Sequence, residues 1–260
     1  MNIYVFVKRV PDTESKIRIN HETNSIIEEG LNFILSPYDE YAVEEALRLR
    51  EAKGGKVTVI SVGTEESKVI LKKCLAMGAD EAFLVKDDIP ETYDGLRTAK
   101  IIAKTVEKKF PDYNILLFGK QSVGTDNGQV PIMVAEFLGL PQVNVVTKLE
   151  IEGNEGVAYR EIEGASEKFS FSLPAVISAQ KGLNEPRYET LKGIMMAKKK
   201  EIPVITYEEL ELKEEDLGPQ VNIIKIESPP PRQAGQIIED EPESAAKKLV
   251  DFLHQEAKII

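Results

Sequence analysis

The stretch "FGKQSVGTDNGQVP", residues 118 to 131, carries the side chains best suited to holding an anion. Ser122, Thr125 and Gln129 can donate hydrogen bonds, Gly124 and Gly128 let main chain approach a ligand closely, and Pro131 opens a new helical pattern. A helix N-terminus presents unpaired N–H groups and partial positive charge, so a phosphate fits there without a gripping lysine. This is chemistry for the phosphate of an adenine nucleotide; a plain strand-to-helix connection shares the spacing. GxxxxGK[ST] is absent and no GxGxxG follows the first strand, so neither common phosphate fingerprint applies. Asp126 is the acid of the stretch, and beside a phosphate it repels unless it holds main-chain amides. Lys8 and Arg9 after the first strand, and Ser61 to Gly63 at the end of the second, are expected to open on the same edge.

Bond-breaking chemistry has no visible machinery. No Ser/His/Asp set, convergent carboxylate pair or phosphate-gripping lysine can be named, so no catalytic residue is expected. One cysteine, Cys74, and two histidines, His21 and His254, provide neither a thiolate cluster nor a histidine-based metal site. A net charge of −11 and the absence of reading motifs exclude nucleic acid. No apolar run approaches the roughly 20 residues that span a bilayer, and "MNIYVFVKRV" reads as a strand rather than a signal peptide. The expected compartment is cytoplasmic, or a mitochondrial matrix if the source is eukaryotic.

The elements that must position these residues alternate. "IYVFVKRV", "KVTVISVG", "EAFLVKD" and "YNILLFG" are short buried strands. Between and after them come helices: "SPYDEYAVEEALRLREAKGG", with Ser36 as cap, Pro37 at its first position and Asp39 and Glu40 at its positive end; "ESKVILKKCLAMGAD"; "GLRTAKIIAKTVEKKF"; and "VPIMVAEFLGL". Such alternation predicts a doubly wound α/β fold with a mostly parallel sheet, and the loop chemistry above makes it a Rossmann-like candidate for binding adenine nucleotides. The runs "NVVTKLEIEGN", "GVAYREIEG", "EKFSFSL" and "AVISAQ" predict an antiparallel meander, added to that sheet or packed beside it. Residues 1–200 are expected to form the nucleotide-binding domain with the meander. Residues 201–260 are expected to form an extended arm, with three successive prolines, ending in an amphipathic helix through Ala245, Leu249, Phe252 and Leu253. The arm embraces either a partner or its own domain. Lys198 to Lys200 read as a solvated helix end or as a contact for an acidic partner. Met195 and Met196 serve packing or docking, and Cys74 is core.

With "VKRVPD", "SPYDEYAVEEALRL", "LAMGAD", "GKQSVGTD", "REIEG" with "LPAVISA", and above all "LNEPRYETLKGIMMAKKKEI", the chain resembles the beta subunit of electron transfer flavoprotein over nearly its whole length. It departs from the family at Ser36, where Asn precedes the proline, at Ala165 and Phe169, and at residues 128–131. The resemblance implies an electron carrier rather than an enzyme. An alpha subunit holds FAD on a mobile domain, and a structural AMP lies in this subunit. Electrons arrive from flavin dehydrogenases such as acyl-CoA dehydrogenases and leave to a membrane quinone reductase. It also implies that the AMP phosphate meets Ser122, Thr125 and the amides of Gly128, Gln129 and Val130. The adenosine then lies against Phe6, Ser36, Val62 and Gly63, and Tyr38 sits near the flavin ring. Leu183, Asn184, Glu185, Pro186, Arg187 and Tyr188 match a recognition loop whose leucine, Leu183, enters a pocket of the dehydrogenase. Gln129-Val130 and Asp39 resemble instead the electron-bifurcating branch, in which a second FAD replaces AMP and meets NADH. A nucleotide-sensing module is a third reading, one that leaves the arm and the recognition-like loop without a role.

Overall fold

The computed structural model describes residues 1–88, 94–218, 221–230 and 235–260. Residues 219–220 and 231–234 of the expected arm lie outside them, including the last of the three prolines. The described chain divides into two units, Met1–Lys225 and Ile226–Ile260.

The first unit begins with strand β1 (Asn2–Phe6). Two small antiparallel pairs follow, in which β2 (Arg9–Pro11) meets β5 (Phe33–Leu35) and β3 (Ile19–Asn20) meets β4 (Ser25–Ile26). Helix α1 (Pro37–Lys53), β6 (Lys56–Gly63), α2 (Lys68–Met77), β7 (Glu81–Lys86), α3 (Gly95–Lys109), β8 (Ile115–Gly119) and α4 (Val130–Leu138) then alternate as the periodicity predicts. Next come β9 (Gln142–Val146), β10 (Lys148–Glu152), β11 (Glu155–Ile162), β12 (Ala165–Ser172), β13 (Ala175–Ala179), α5 (Leu191–Lys199) and β14 (Val204–Ile205).

Seven strands form one parallel sheet in the order β14-β7-β6-β1-β8-β13-β9. Both faces are covered, which is why β1 is a continuous apolar run rather than an alternating one. Ile3 and Val5 point into one apolar cluster with Val43, Leu47, Leu71 and Leu75; Tyr4 and Phe6 point into the other with Ile101, Ile102, Val106 and Val134. Helices α1, α2 and α5 thus cover one face, and α3 and α4 the other.

The meander is smaller than the turn pattern implies. Of the strands in this region, β10, β11 and β12 form an antiparallel sheet, while β13 and β9 join the parallel sheet. The run "NVVTKLEIEGN" is broken at Val145, a β-branched residue with φ of 63°, whose N–H donates to Ser178 Oγ at 2.9 Å. This is a bulge within β9: Val146 still pairs with Ala179, and the chain leaves the large sheet for the small one at Thr147. The segment expected to begin the arm at 201 first adds β14 to the sheet edge and buries Leu210 and Leu217 in the second cluster.

Helix α5 lies close on α2. A Cβ on Gly193 would come within 2.2 Å of the Ala76 carbonyl oxygen. Lys72 Nζ donates to the Ala197 carbonyl at 2.8 Å and to that of Lys200, while Lys200 Nζ donates to the Ala79 and Asp80 carbonyls at 3.2 and 2.7 Å. The last lysine of the basic run therefore ties the end of α5 to the turn between α2 and β7, and Lys198 and Lys199 remain exposed. In the second unit, α6 (Pro242–Asp251) leads into a π-helical turn, Phe252–Glu256, and its start is tied by Ser244 and Lys248 to Asp240.

Gly193→Ala is expected to force α5 off α2 and to destabilise the first unit by about 2 kcal/mol, read as a lowered urea midpoint with unchanged slope.

Candidate functional site

Strand order reverses between β1 and β8. From β1 the chain builds outward through β6 and β7; from β8 the sheet continues to β13 and β9. Loops leaving adjacent carboxyl ends diverge there, opening the crevice where ligands of doubly wound sheets bind. The floor of that crevice is a carboxylate. Asp39 Oδ2 accepts from the Lys8 N–H at 2.7 Å, just beyond β1, and Oδ1 accepts from the Gly119 N–H at 3.1 Å, at the end of β8. Gly119 has no room for a side chain: a Cβ would lie 2.3 Å from Asp39 Oδ1 and 2.7 Å from the Tyr38 carbonyl carbon. Burial pushes the Asp39 carboxyl up from 3.8 to about 7, against the two amide bonds and the nearby Lys8 charge, which favour the anion. From the sequence, Asp39 is an acid at a helix N-terminus. Its hold on two distant strands is a tertiary fact that an acid three residues after Ser36 only hints at.

The 119–130 loop closes on itself. Ser122 and Thr125 hydroxyls are bonded at 2.6 Å, the Asp126 N–H donates to the Ser122 carbonyl at 3.0 Å, and Gln121 Nε2 donates to Asp126 Oδ1 at 2.6 Å. One hydroxyl proton is consumed within the Ser122–Thr125 pair, so the other remains for a ligand. Asp126 is engaged, by an amide side chain rather than by main-chain amides. Gly124 and Gly128 adopt positive φ of 102° and 61°, as their expected turns require. Gln129 stands at the cap of α4 with Val130 and Pro131 behind it, and nothing from its own side chain caps the helix.

The remaining predicted contacts converge on the same edge with one change of role. Phe6 is 5% exposed and its ring stacks on Phe118 at 4.8 Å and 15°, so it forms the core beneath the edge. Ser36 caps α1 without a side-chain bond, and its buried Oγ has no partner among the described residues; Ser61 Oγ is in the same condition. Both lie where β1 and β6 end, the Ser36 N–H donating to the Lys8 carbonyl and the Val7 N–H to the Ile60 carbonyl. Two buried hydroxyls left unpaired cost free energy unless a ligand satisfies them. Val62 and Gly63 end β6 half-buried, and Tyr38 is half-buried with Lys120 Nζ 5.6 Å from its ring centre.

The segment 183–188 corrects one expectation. Leu183 is not an exposed plug: it is 8% exposed and packs in the first core cluster. The apolar groups that do face outward are Tyr188 at 94% and Leu191 at 84%, the latter opening α5 beside Met195 and Met196. The segment is clamped to α1. Arg187 donates to Glu44 through Nε at 2.8 Å and Nη2 at 2.9 Å, and to Glu51 through Nη1 at 2.5 Å and Nη2 at 3.1 Å. Asn184 Nδ2 reaches the Tyr41 carbonyl at 3.0 Å and Glu45 Oε2 at 2.9 Å. Burial raises the Glu45 carboxyl, against the Asn184 bond. Glu185 is exposed, and Pro186 lines a cavity of about 470 Å³ together with Tyr41, Met77, Tyr188 and Ile194.

Comparison with known proteins shows the family. Residues 23–210 match the electron transfer flavoprotein domain, a span that includes the loop, the clamp and the segment. The chain belongs to the electron transfer flavoprotein family, in its beta-subunit branch. It is 41% identical to the electron transfer flavoprotein subunit beta of Bacillus subtilis, over 100% of both chains. The subunit beta of Thermoanaerobacterium thermosaccharolyticum is 40% identical, over 98% of each chain. That of Homo sapiens is 38% identical, over 95% of this chain and 96% of the relative. Among the described residues, no helix is long and apolar enough to cross a membrane.

Two outcomes follow from the electrostatics. Arg187→Ala leaves Glu44, 5% exposed, without its cation. A loss of about 3 kcal/mol in urea unfolding is expected near neutral pH. For Asp39 the folded pKa, about 7, lies above the ordinary 3.8, so its stabilising contribution is present in acid and lost as pH rises through 7. Between about pH 5 and pH 8 the unfolding free energy of wild type should fall by about 2–3 kcal/mol relative to Asp39→Asn.

Proposed function

We propose that this chain is the beta partner of a heterodimeric electron carrier. An alpha subunit holds FAD; the pair takes electrons from flavin dehydrogenases such as acyl-CoA dehydrogenases and delivers them to a quinone reductase. This chain contributes no bond-breaking residue. It holds AMP as a structural group and presents the surface on which the dehydrogenase docks. The C-terminal segment, residues 201–260, supplies the packing on the alpha subunit beyond β14.

One observation carries the nucleotide reading: where strand order reverses, neutral donors of the 119–130 loop lead into α4, and two buried hydroxyls without a partner among the described residues, Ser36 and Ser61, lie where β1 and β6 end. Bound AMP supplies a phosphate dianion and an adenosine. Ser122, Thr125 and the amides of Gly128, Gln129 and Val130 would hold the phosphate. Ser36, Tyr38, Val62 and Gly63, above the end of β1 at Phe6, would face the adenosine. The donors are neutral, so the phosphate keeps its charge against the helix N-terminus, an arrangement suited to retention rather than turnover.

Docking is proposed for the surface of Tyr188 and the start of α5, held in place by the Arg187 clamp. Exposed aromatic and aliphatic anchors on a rigid base concentrate interface energy.

Nucleotides released on denaturing the purified heterodimer are expected to be one FAD and one AMP. Two FAD with NADH-driven reduction would favour the bifurcating reading instead. Leu191→Ala is expected to raise KM for the dehydrogenase about tenfold with bound nucleotide unchanged, whereas Leu183→Ala should lower stability and leave KM near wild type.

A further inference from the structure

We propose that Asp39 is a positioning residue for the ligand of the 119–130 loop: its two carboxylate oxygens fix the amides of Lys8 and Gly119, and so the directions in which the two crevice loops leave the sheet. The inference rests on the nucleotide reading of that loop.

The geometry is specific. The two amides belong to residues more than a hundred positions apart, at the ends of the pair of strands between which the order reverses. One carboxylate accepts from both, and it is 6% exposed. Gly119 is hemmed in by Asp39 and Tyr38, so strand end and helix start are locked together. Lys120, the next residue, donates its N–H to the Ala179 carbonyl at 2.9 Å, which ties the loop start to β13 as well. Among the described residues no hydrogen bond joins Asp39 to Ser122 or Thr125; it acts through the backbone that carries them.

Both oxygens must accept, because both partners are N–H donors. Protonation converts one oxygen into a hydroxyl and weakens one arm of the clamp. The groups facing the carboxylate set where this happens. Lys8 beyond β1 favours the anion, Glu40 on α1 opposes it, and Cys74 on α2 faces it as a thiol whose own pKa burial pushes up. Lys73 on α2 is turned to Glu40 at 2.5 Å. With a midpoint about 7 the clamp is half made at neutral pH. If only the ionised form is competent, ligand affinity falls about tenfold between pH 8 and pH 6.

The test uses the full chain co-purified with its alpha subunit, stripped of nucleotide and titrated with AMP by equilibrium dialysis from pH 8 to pH 6. AMP's own phosphate titrates in this range, so Asp39→Asn is measured in parallel and supplies the baseline. The expected result is an additional tenfold weakening in wild type, an approximately flat residual in Asp39→Asn, and weaker binding of that variant at pH 8. Hydrogen exchange of peptides covering Lys8 and Gly119, corrected for intrinsic rate, should show protection falling in wild type as pH drops through 7. A parallel pH profile for wild type and variant, or protection independent of pH, overturns the proposal. If Asp39→Asn does not fold, the wild-type exchange profile decides alone. Absence of AMP binding at every pH, with the exchange profile as expected, removes the nucleotide reading and leaves the clamp standing.

Discussion

A doubly wound sheet must send two adjacent, parallel strands into loops that leave in opposite directions, and something has to hold the ends where they part. Here that task falls to one buried carboxylate. Asp39 bonds the amides beyond β1 and at the end of β8, and Gly119 gives up its side chain to allow it. Burial makes the charge costly, which is why its pKa is raised, yet an apolar residue could not satisfy two amides at once. The crevice, its loop of neutral donors and its two unpartnered hydroxyls all hang from this floor.

The proposed docking surface is likewise held by polar side chains that reach across distance. Arg187 is planar and bidentate, so it grips Glu44 and Glu51 on α1 and orients the segment it belongs to. Lys72 reaches carbonyls at the end of α5, and Lys200 reaches those of Ala79 and Asp80 in the turn before β7. Tyr188 and Leu191 can then stand out in solvent on a base that does not yield. Leu183, by contrast, is spent on the core.

Between the two surfaces, β13 completes the parallel sheet beside β8, and the three-stranded meander is an insertion between β9 and β13. Val145 is a bulge just before the departure at Thr147, its strained backbone held by Ser178. An antiparallel pattern read along the chain therefore conceals two parallel strands, since hairpin-like turn residues look alike whether the flanking runs pair with each other or with distant strands.

Periodicity and stop signals were enough for the α1–β6–α2–β7–α3–β8–α4 alternation, because those features are local: apolar spacing, Pro37 and Pro131 at helix starts, Gly54, Gly78 and Gly139 at helix ends. The loop at 119–130 was legible for the same reason, as a small-residue turn before a helix. Motif likeness named the family. What lay beyond the sequence was every role set by long-range contact: which strands β9 and β13 join, that Phe6 and Leu183 are core, that Asp39 spans two strands, and that Leu191 faces outward. Local chemistry is written in neighbouring residues, whereas burial and pairing depend on which distant elements arrive, and only the folded chain decides that.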